Sequence, residues 1–337
     1  MQTPLTAALD IEYPIVQAPI GSATNPELAA AVADAGGVGH LAVTWRDPAA
    51  TREVLEDAQS RTDGVVAANI VVDDNASEIS TEEQIEACVD AGVEVVSLSF
   101  GEAAPSVERL QAAGVTVLQS VGSAAAAREA VDAGVDAVVA QGWEAGGHVQ
   151  SEVATLPLVP RVVDAAPDTP VIAAGGIADG RGIAAALALG AGGAWLGTRF
   201  LATGEANVHE VYRERVTDAA ETETAYGTVF SEGWPGVPHR VLENETTEAY
   251  CEAGDPETDP PGKGDVVART PEGEPVTRYE DSLATPEIEG AVEKLPLYAG
   301  QSAGLTEETV PAGELVEDLV AETRRALGRV QECTDRE

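Results

Sequence analysis

Lysine is almost missing from this 337-residue chain: Lys263 and Lys294 are its only two. Lysine and arginine together number 19, against 58 acidic residues, for a formal net charge of −39. No basic patch is available to meet phosphates, which excludes nucleic-acid binding. The carboxylates are spread over helix-like stretches such as Ser77–Glu86 and Thr217–Glu223 rather than gathered in an acidic tail. Such a surface is expected of a halophilic protein. Self-repulsion is screened where the Debye length falls to ~3 Å at 1 M salt, and the charge keeps the protein soluble. Cysteine is also scarce. Cys88, Cys251 and Cys333 are odd in number and far apart, with no CxxC or metal-ligand spacing. This argues against a disulfide framework and a metal site, and for a reducing interior. No apolar run reaches the ~18 residues of a membrane span. The first residues, MQTPLTAALDIEYP, lack the basic and apolar regions of a signal peptide. The expectation is a cytoplasmic protein that touches no membrane. Aromatics make up 4% of the chain, so the core must be built from Ala, Val, Leu and Ile.

What is present is a rhythm. Through the first 200 residues an Ala-rich amphipathic segment ends in a glycine, and a short Val-rich run follows, as in ACVDAGVEVVSLS and AVDAGVDAVVAQG. The glycines suit left-handed helix ends. The runs are apolar on both faces, as buried parallel strands are. Eight strands are expected, at 15–20, 38–43, 66–72, 95–100, 115–121, 137–141, 171–174 and 194–196. The helices between them fall at about 26–35, 48–60, 81–91, 105–113, 124–133, 157–165 and 182–189. Pro26, Pro48 and Pro105 sit where a first helical turn tolerates proline. Strict β–α alternation with eight strands favours a (β/α)8 TIM barrel over an open doubly wound sheet. The barrel core spans 1–204. Residues 205–337 form a helical C-terminal extension packed on it. This extension carries a helix near 208–219, a Pro-, Gly- and acid-rich loop or lid margin over 252–275, and a closing helix over 313–331 with Leu315, Leu319 and Val320 on one face.

Barrel chemistry sits at the C-terminal strand ends. Here those ends read Gln17-Ala18-Pro19-Ile20, Asn69, Ser97 and Ser99, Gln119-Ser120, Gln141-Gly142, Gly175-Gly176 and Gly197-Thr198. The glycines after strands seven and eight would let backbone N–H groups approach a phosphate. Strand six is followed by QGWEAGGH, residues 141–148, which sets His148, a natural proton-transfer group, over the barrel mouth. The other histidines, His40, His209 and His239, read as structural. Glu144 reads either as a second acid-base group or, the reading preferred, as a residue that fixes the loop.

These motifs, QAPIGS, QGWEAGGH, PVIAAGGIADGRG, ALGAGGAWLGTRFLAT and LYAGQSAG, resemble the nitronate monooxygenase (2-nitropropane dioxygenase) family, whose superfamily includes FMN-dependent enoyl-ACP reductases. The resemblance covers nearly the whole chain outside the acidic insertion. It implies FMN, bound without a covalent link. Gln17, Ala18, Pro19, Ile20 and Asn69 would line the isoalloxazine. Gln119 and Gln141 (followed by Gly142) would contact ring or ribityl atoms, and Gly146, Gly147, Gly175, Gly176, Gly197 and Thr198 would hold the ribityl phosphate. His148 would be catalytic. The family often has Met where Ile20 stands, and a Lys is common where Gln119 stands. The implied reaction is oxidation of alkyl nitronates by O2 to carbonyl compounds and nitrite. The alternatives are an NAD(P)H-dependent reductase of enoyl thioesters or quinones, and a non-enzymatic flavin-binding protein. The partners are a small-molecule substrate and O2, and the Ala-rich surfaces permit a homodimer.

Overall fold

In the computed structural model, which describes residues 1–73, 75–254, 256 and 258–334, eight parallel strands alternate with helices around a barrel. The strands are β1 (Ile15–Gln17), β2 (Gly39–Ala42), β3 (Val66–Val71), β4 (Val95–Ser99), β5 (Thr116–Val121), β6 (Ala137–Gln141), β8 (Val171–Ala174) and β9 (Gly193–Leu196). A two-residue strand, β7 (Gly147–His148), interrupts the series. The barrel order is β1-β9-β8-β6-β5-β4-β3-β2. The ends of that order meet through the bridge between Val16 and Val38, with Gln17 N donating to Val38 O at 2.9 Å and Val38 N to Ile15 O at 3.0 Å. The sheet is therefore a closed barrel and not an open doubly wound layer.

Local chemistry sets the helix limits. Asn25 and Asp47 cap the helices Pro26–Asp34 and Pro48–Ser60, and the proline follows each cap at a position that needs no N–H. Ser80 closes a capping box with Glu83 on Thr81–Asp90. At the other end, Gly92, Gly114 and Gly134 adopt positive φ (+72°, +83° and +92°). The valine after each glycine then donates back into the last turn, as Val93 N does to Cys88 O at 3.2 Å. These are the glycines whose recurrence marked the repeat.

Strand residues alternate between two apolar compartments. Ile15, Ala68, Val117 and Val138 face the helix layer, whereas Val16, Ala67, Leu118, Val139 and Trp195 fill the barrel. A short helix over Pro4–Leu9, absent from the sequence reading, adds Leu5 and Leu9 to the barrel's interior cluster. Beyond the barrel, a helix over Glu210–Asp218 and the long helix Ala312–Thr334 match the expected pair. The long helix packs on Pro26–Asp34 and Gly180–Ala188.

Two small antiparallel sheets were not expected. In one, β10 (Thr224–Gly227) and β11 (His239–Leu242) pair, and β11 also pairs with β7. In the other, β12 (Val266–Arg269) pairs with β13 (Pro275–Thr277) and β14 (Glu289–Gly290). The acidic 252–275 stretch is thus partly a hairpin. Its positions 255 and 257, and 335–337 at the end of the extension, lie outside the described residues. Short strands with exposed residues among Pro, Gly and carboxylates carry little periodic signal.

Candidate active site

A cavity of about 710 Å3 opens at the C-terminal ends of the barrel strands. That lies within the ~300–1,000 Å3 usual for ligand and cofactor pockets. One side is formed by Ala18, Pro19 and Ile20 after β1 and by Gly175-Gly176 and Gly197-Thr198 after β8 and β9. Gly175 and Gly176 hold φ of +102° and +69°, a turn that a side chain would strain. The floor carries Asn69, Ser99, Ser120 and Gln141, with Trp195. Asn69 Nδ2 donates to Ser97 Oγ at 2.9 Å, which fixes the amide. Ala145, Gly146, Gly147 and His148 form the opposite side.

Three of the expected site residues do not line the cavity. Gln17 is fully buried on the helix-facing side of β1, where its Oε1 accepts from His40 N at 2.9 Å. It closes the barrel seam. Gln119 falls in phase with Val117 and Val121, which pack against the helices, so its side chain leaves the barrel while that of Ser120 enters it. Gly142 is packed against Thr155, and its N–H donates to Ala174 O at 2.8 Å. The remaining twelve are brought together.

The loop holding His148 is pinned from several sides. Gln141 Nε2 donates to His148 O at 3.0 Å, and Gln141 Oε1 accepts from Gln150 N at 2.9 Å. Glu144 Oε2 accepts from Thr155 N and Oγ1 at 2.8 and 2.9 Å, the loop-fixing role expected of it. Through β7, His148 is in register with His239 on β11.

Around the imidazole stand groups that sequence reasoning did not place in the site. Asp281 Oδ2 lies 3.7 Å from His148 Nε2, and Asp281 Oδ1 accepts from the Tyr298 hydroxyl. Trp234, His239 and Tyr298 present rings at 4.4, 5.3 and 5.6 Å from that of His148, centroid to centroid. Only Tyr298 belonged to a quoted motif, LYAGQSAG. His148 Nε2 is buried without a hydrogen-bond partner among the described residues. Burial lowers the His148 pKa to about 4, so its ring is neutral near pH 7, and burial raises that of Asp281. The other histidines are structural, as read. His209 caps its helix through Nδ1, His239 Nε2 accepts from Phe230 N at 3.1 Å, and His40 lies inside the barrel against Trp195.

A neutral, unpaired imidazole beside a carboxyl at the mouth of a glycine-edged pocket is equipped to take a proton from a bound molecule. Comparison with known proteins places the chain among oxidoreductases of this fold. The chain is 38% identical over 250 residues to a (3aS,4S,5R,7aS)-5-hydroxy-7a-methyl-1-oxo-octahydro-1H-indene-4-carboxyl-CoA dehydrogenase of Mycobacterium tuberculosis, covering 74% of this chain and 68% of that one. It is 30% identical to a probable nitronate monooxygenase of Staphylococcus saprophyticus, over 98% of this chain and 99% of the relative. The solved structure of FabK from Thermotoga maritima superposes with a TM-score of 0.81 at 32% identity, over 98% of this chain and 99% of that one. A family model described as nitronate monooxygenase matches residues 2–322, and with nearly the whole barrel and extension inside that match, the chain belongs to the nitronate monooxygenase family of oxidoreductases.

Proposed function

We propose that the protein is an FMN-dependent enzyme that oxidises alkyl nitronates with O2 to carbonyl compounds and nitrite. The observation that carries this reading is His148: a buried neutral imidazole with Nε2 unpaired, facing a cavity whose other wall is a glycine cradle. The cradle fits FMN. Gly175 and Gly176 would take the phosphate together with Gly197 and Thr198, at the place where barrels hold phosphates. Ala18 to Ile20, Asn69 and Gln141 would border the ring system. FMN supplies the electron acceptor when bound.

The chain's own residues orient and deprotonate. From a neutral nitroalkane, His148 Nε2 takes the α-proton. Asp281, at 3.7 Å, stabilises the imidazolium that results and is itself held by Tyr298. With a preformed nitronate no proton need move, and the pocket only positions the anion and excludes water. A second reading, oxidation or reduction of an acyl thioester, is favoured by the 38% identity to a carboxyl-CoA dehydrogenase. Against it, Arg46 is the single lysine or arginine among the lining residues, a thin provision for the phosphates of CoA or of a nicotinamide.

Anaerobic mixing of the purified yellow protein with isopropyl nitronate, and separately with NADH or NADPH, decides between them at the flavin absorption band. Bleaching by the nitronate alone is the expected result. Fast bleaching by a nicotinamide alone refutes the proposal, and a colourless protein removes its cofactor.

A further inference from the structure

One wall of the cavity takes no part in the proton transfer. The chain has few aromatics, yet three of its four tryptophans, Trp45, Trp195 and Trp234, line this one pocket, with Phe100 and Tyr298. Trp195 belongs to the barrel floor. Trp45, Phe100 and Trp234 form a connected wall that begins at the catalytic ring. Trp234 lies 4.4 Å from His148, Phe100 meets Trp234 edge-on at 4.7 Å and 75°, and Trp45 meets Trp234 at 6.3 Å and 63°.

The three rings are held in place. Trp234 Nε1 donates to Asp73 Oδ2 at 2.9 Å and Trp45 Nε1 to Ala76 O at 2.6 Å, so both indoles have their polar edges tied to the segment after β3. Phe100 has φ of +59°, a left-handed conformation that a bulky residue seldom adopts and that concentrates at ligand sites. Its N–H is tied to Gln150 Oε1 at 3.2 Å, on the loop that carries His148. Trp45 remains 47% exposed, so the far end of the wall stands open to whatever enters the mouth. Trp234, 2% exposed, anchors the wall by packing on Val71, Ala76 and Phe100, and the rings that border the cavity offer edges and faces that complement a flat ligand group. Asp281 and Glu272 border the same space and disfavour an acidic substituent.

We propose that this wall is a subsite for an uncharged aromatic ring attached to the reacting carbon of the substrate, so that the site prefers aryl nitronates over small alkyl ones. The inference rests on the nitronate reading for its reaction but not for its ring binding. From His148 the wall recedes, with Trp234 at 4.4 Å, Phe100 at 6.5 Å and Trp45 joined only through Trp234, so a ring on the reacting carbon would cover more of it than a small alkyl group.

Two measurements on the holoenzyme test it. The first is the ratio of kcat/KM for phenylnitromethane nitronate to that for isopropyl nitronate. The expected ratio is about 10, reduced to about 3 or less in Trp234→Leu and, independently, in Trp45→Leu, whose side chain is 47% exposed. The second is calorimetric binding of nitrobenzene against tert-nitrobutane, neither of which has an α-proton to lose. Nitrobenzene should bind about 10-fold tighter, with the same erosion in both variants. Equal ratios in both measurements, or a preference that survives both substitutions, overturn the subsite. Tighter nitrobenzene binding with no turnover of either nitronate supports the ring subsite and sinks the nitronate reading alone.

Discussion

Replacing Asp281 with Asn separates proton abstraction from every other role of the site. Asn keeps the size of the side chain and an oxygen to accept from Tyr298, and removes only the charge. At 3.7 Å from His148 Nε2, an ionised carboxylate stabilises an imidazolium by about 4 kcal/mol at the effective dielectric of a partly buried pair. About half that charge is developed when the proton is midway, so the barrier rises by about 2 kcal/mol and the rate falls about 30-fold. The loss applies only where a proton is taken. Neutral nitroethane should be turned over about 30-fold more slowly, while its preformed nitronate, mixed rapidly from alkaline stock, should change by no more than about 3-fold. Oxygen consumption at pH 8 measures both. Because burial raises the Asp281 pKa, wild-type activity on neutral nitroethane should also rise with pH as the carboxyl ionises, and D281N should lose that limb. Equal losses on the two substrates would refute the pairing of Asp281 with His148 and leave Asp281 a structural residue.

Burial depresses His40 to about 3 and His148 and His239 to about 4, so on acidification the unfolded chain takes up these protons first. Stability is fully present above the unfolded value of ~6.5 and is lost as pH falls toward 4, by up to ~1.4 kcal/mol per pH unit for each histidine. A Tm that holds constant from pH 8 to 5 would contradict this. Gln17→Ala removes the side-chain oxygen that receives His40 N and should destabilise by about 1–3 kcal/mol in urea while flavin content stays normal; loss of flavin at unchanged stability would return Gln17 to the cofactor site. Raising KCl from 0.1 to 3 M should raise Tm, since the −39 charge repels itself until screened, and a Tm indifferent to salt would dismiss the halophilic reading.

The barrel was legible because its punctuation is local. Asn25-Pro26, Asp47-Pro48 and the AG pairs act within one turn of chain, so each helix limit is written beside itself. The phase of the strands was not legible. Both faces of a barrel strand are buried, so β1 and β5 show no alternation of polarity to say which residues point inward. Reading the strand ends without phase placed Gln17 and Gln119 in the pocket, one residue away from Ala18 and Ser120, which line it. Asp281 and Trp234 were out of reach for a different reason. Trp234 lies 86 positions after His148 and Asp281 133, counting from 148 to 234 and from 148 to 281, too far for a local pattern and in segments without periodicity. The available signal was compositional: in a chain this poor in aromatics, each tryptophan outside a strand was a candidate for the site.

That division has a consequence for chemistry. The groups nearest the His148 ring, Trp234, His239, Asp281 and Tyr298, come from the extension after the barrel, with Phe100 of the barrel at 6.5 Å, and β7 itself is paired with the extension's β11. The glycine cradle and the polar floor come from the barrel strands. The barrel therefore provides the cradle, the floor and, with Trp45 and Phe100, most of the aromatic wall, and the extension provides Trp234, Tyr298 and the charge of Asp281. The extension meets His148 through side chains as well as through the β7–β11 pairing, so a side-chain substitution there can change the chemistry of the site and leave the closed sheet untouched. On that argument a single substitution such as D281N alters what the site does without altering what it holds.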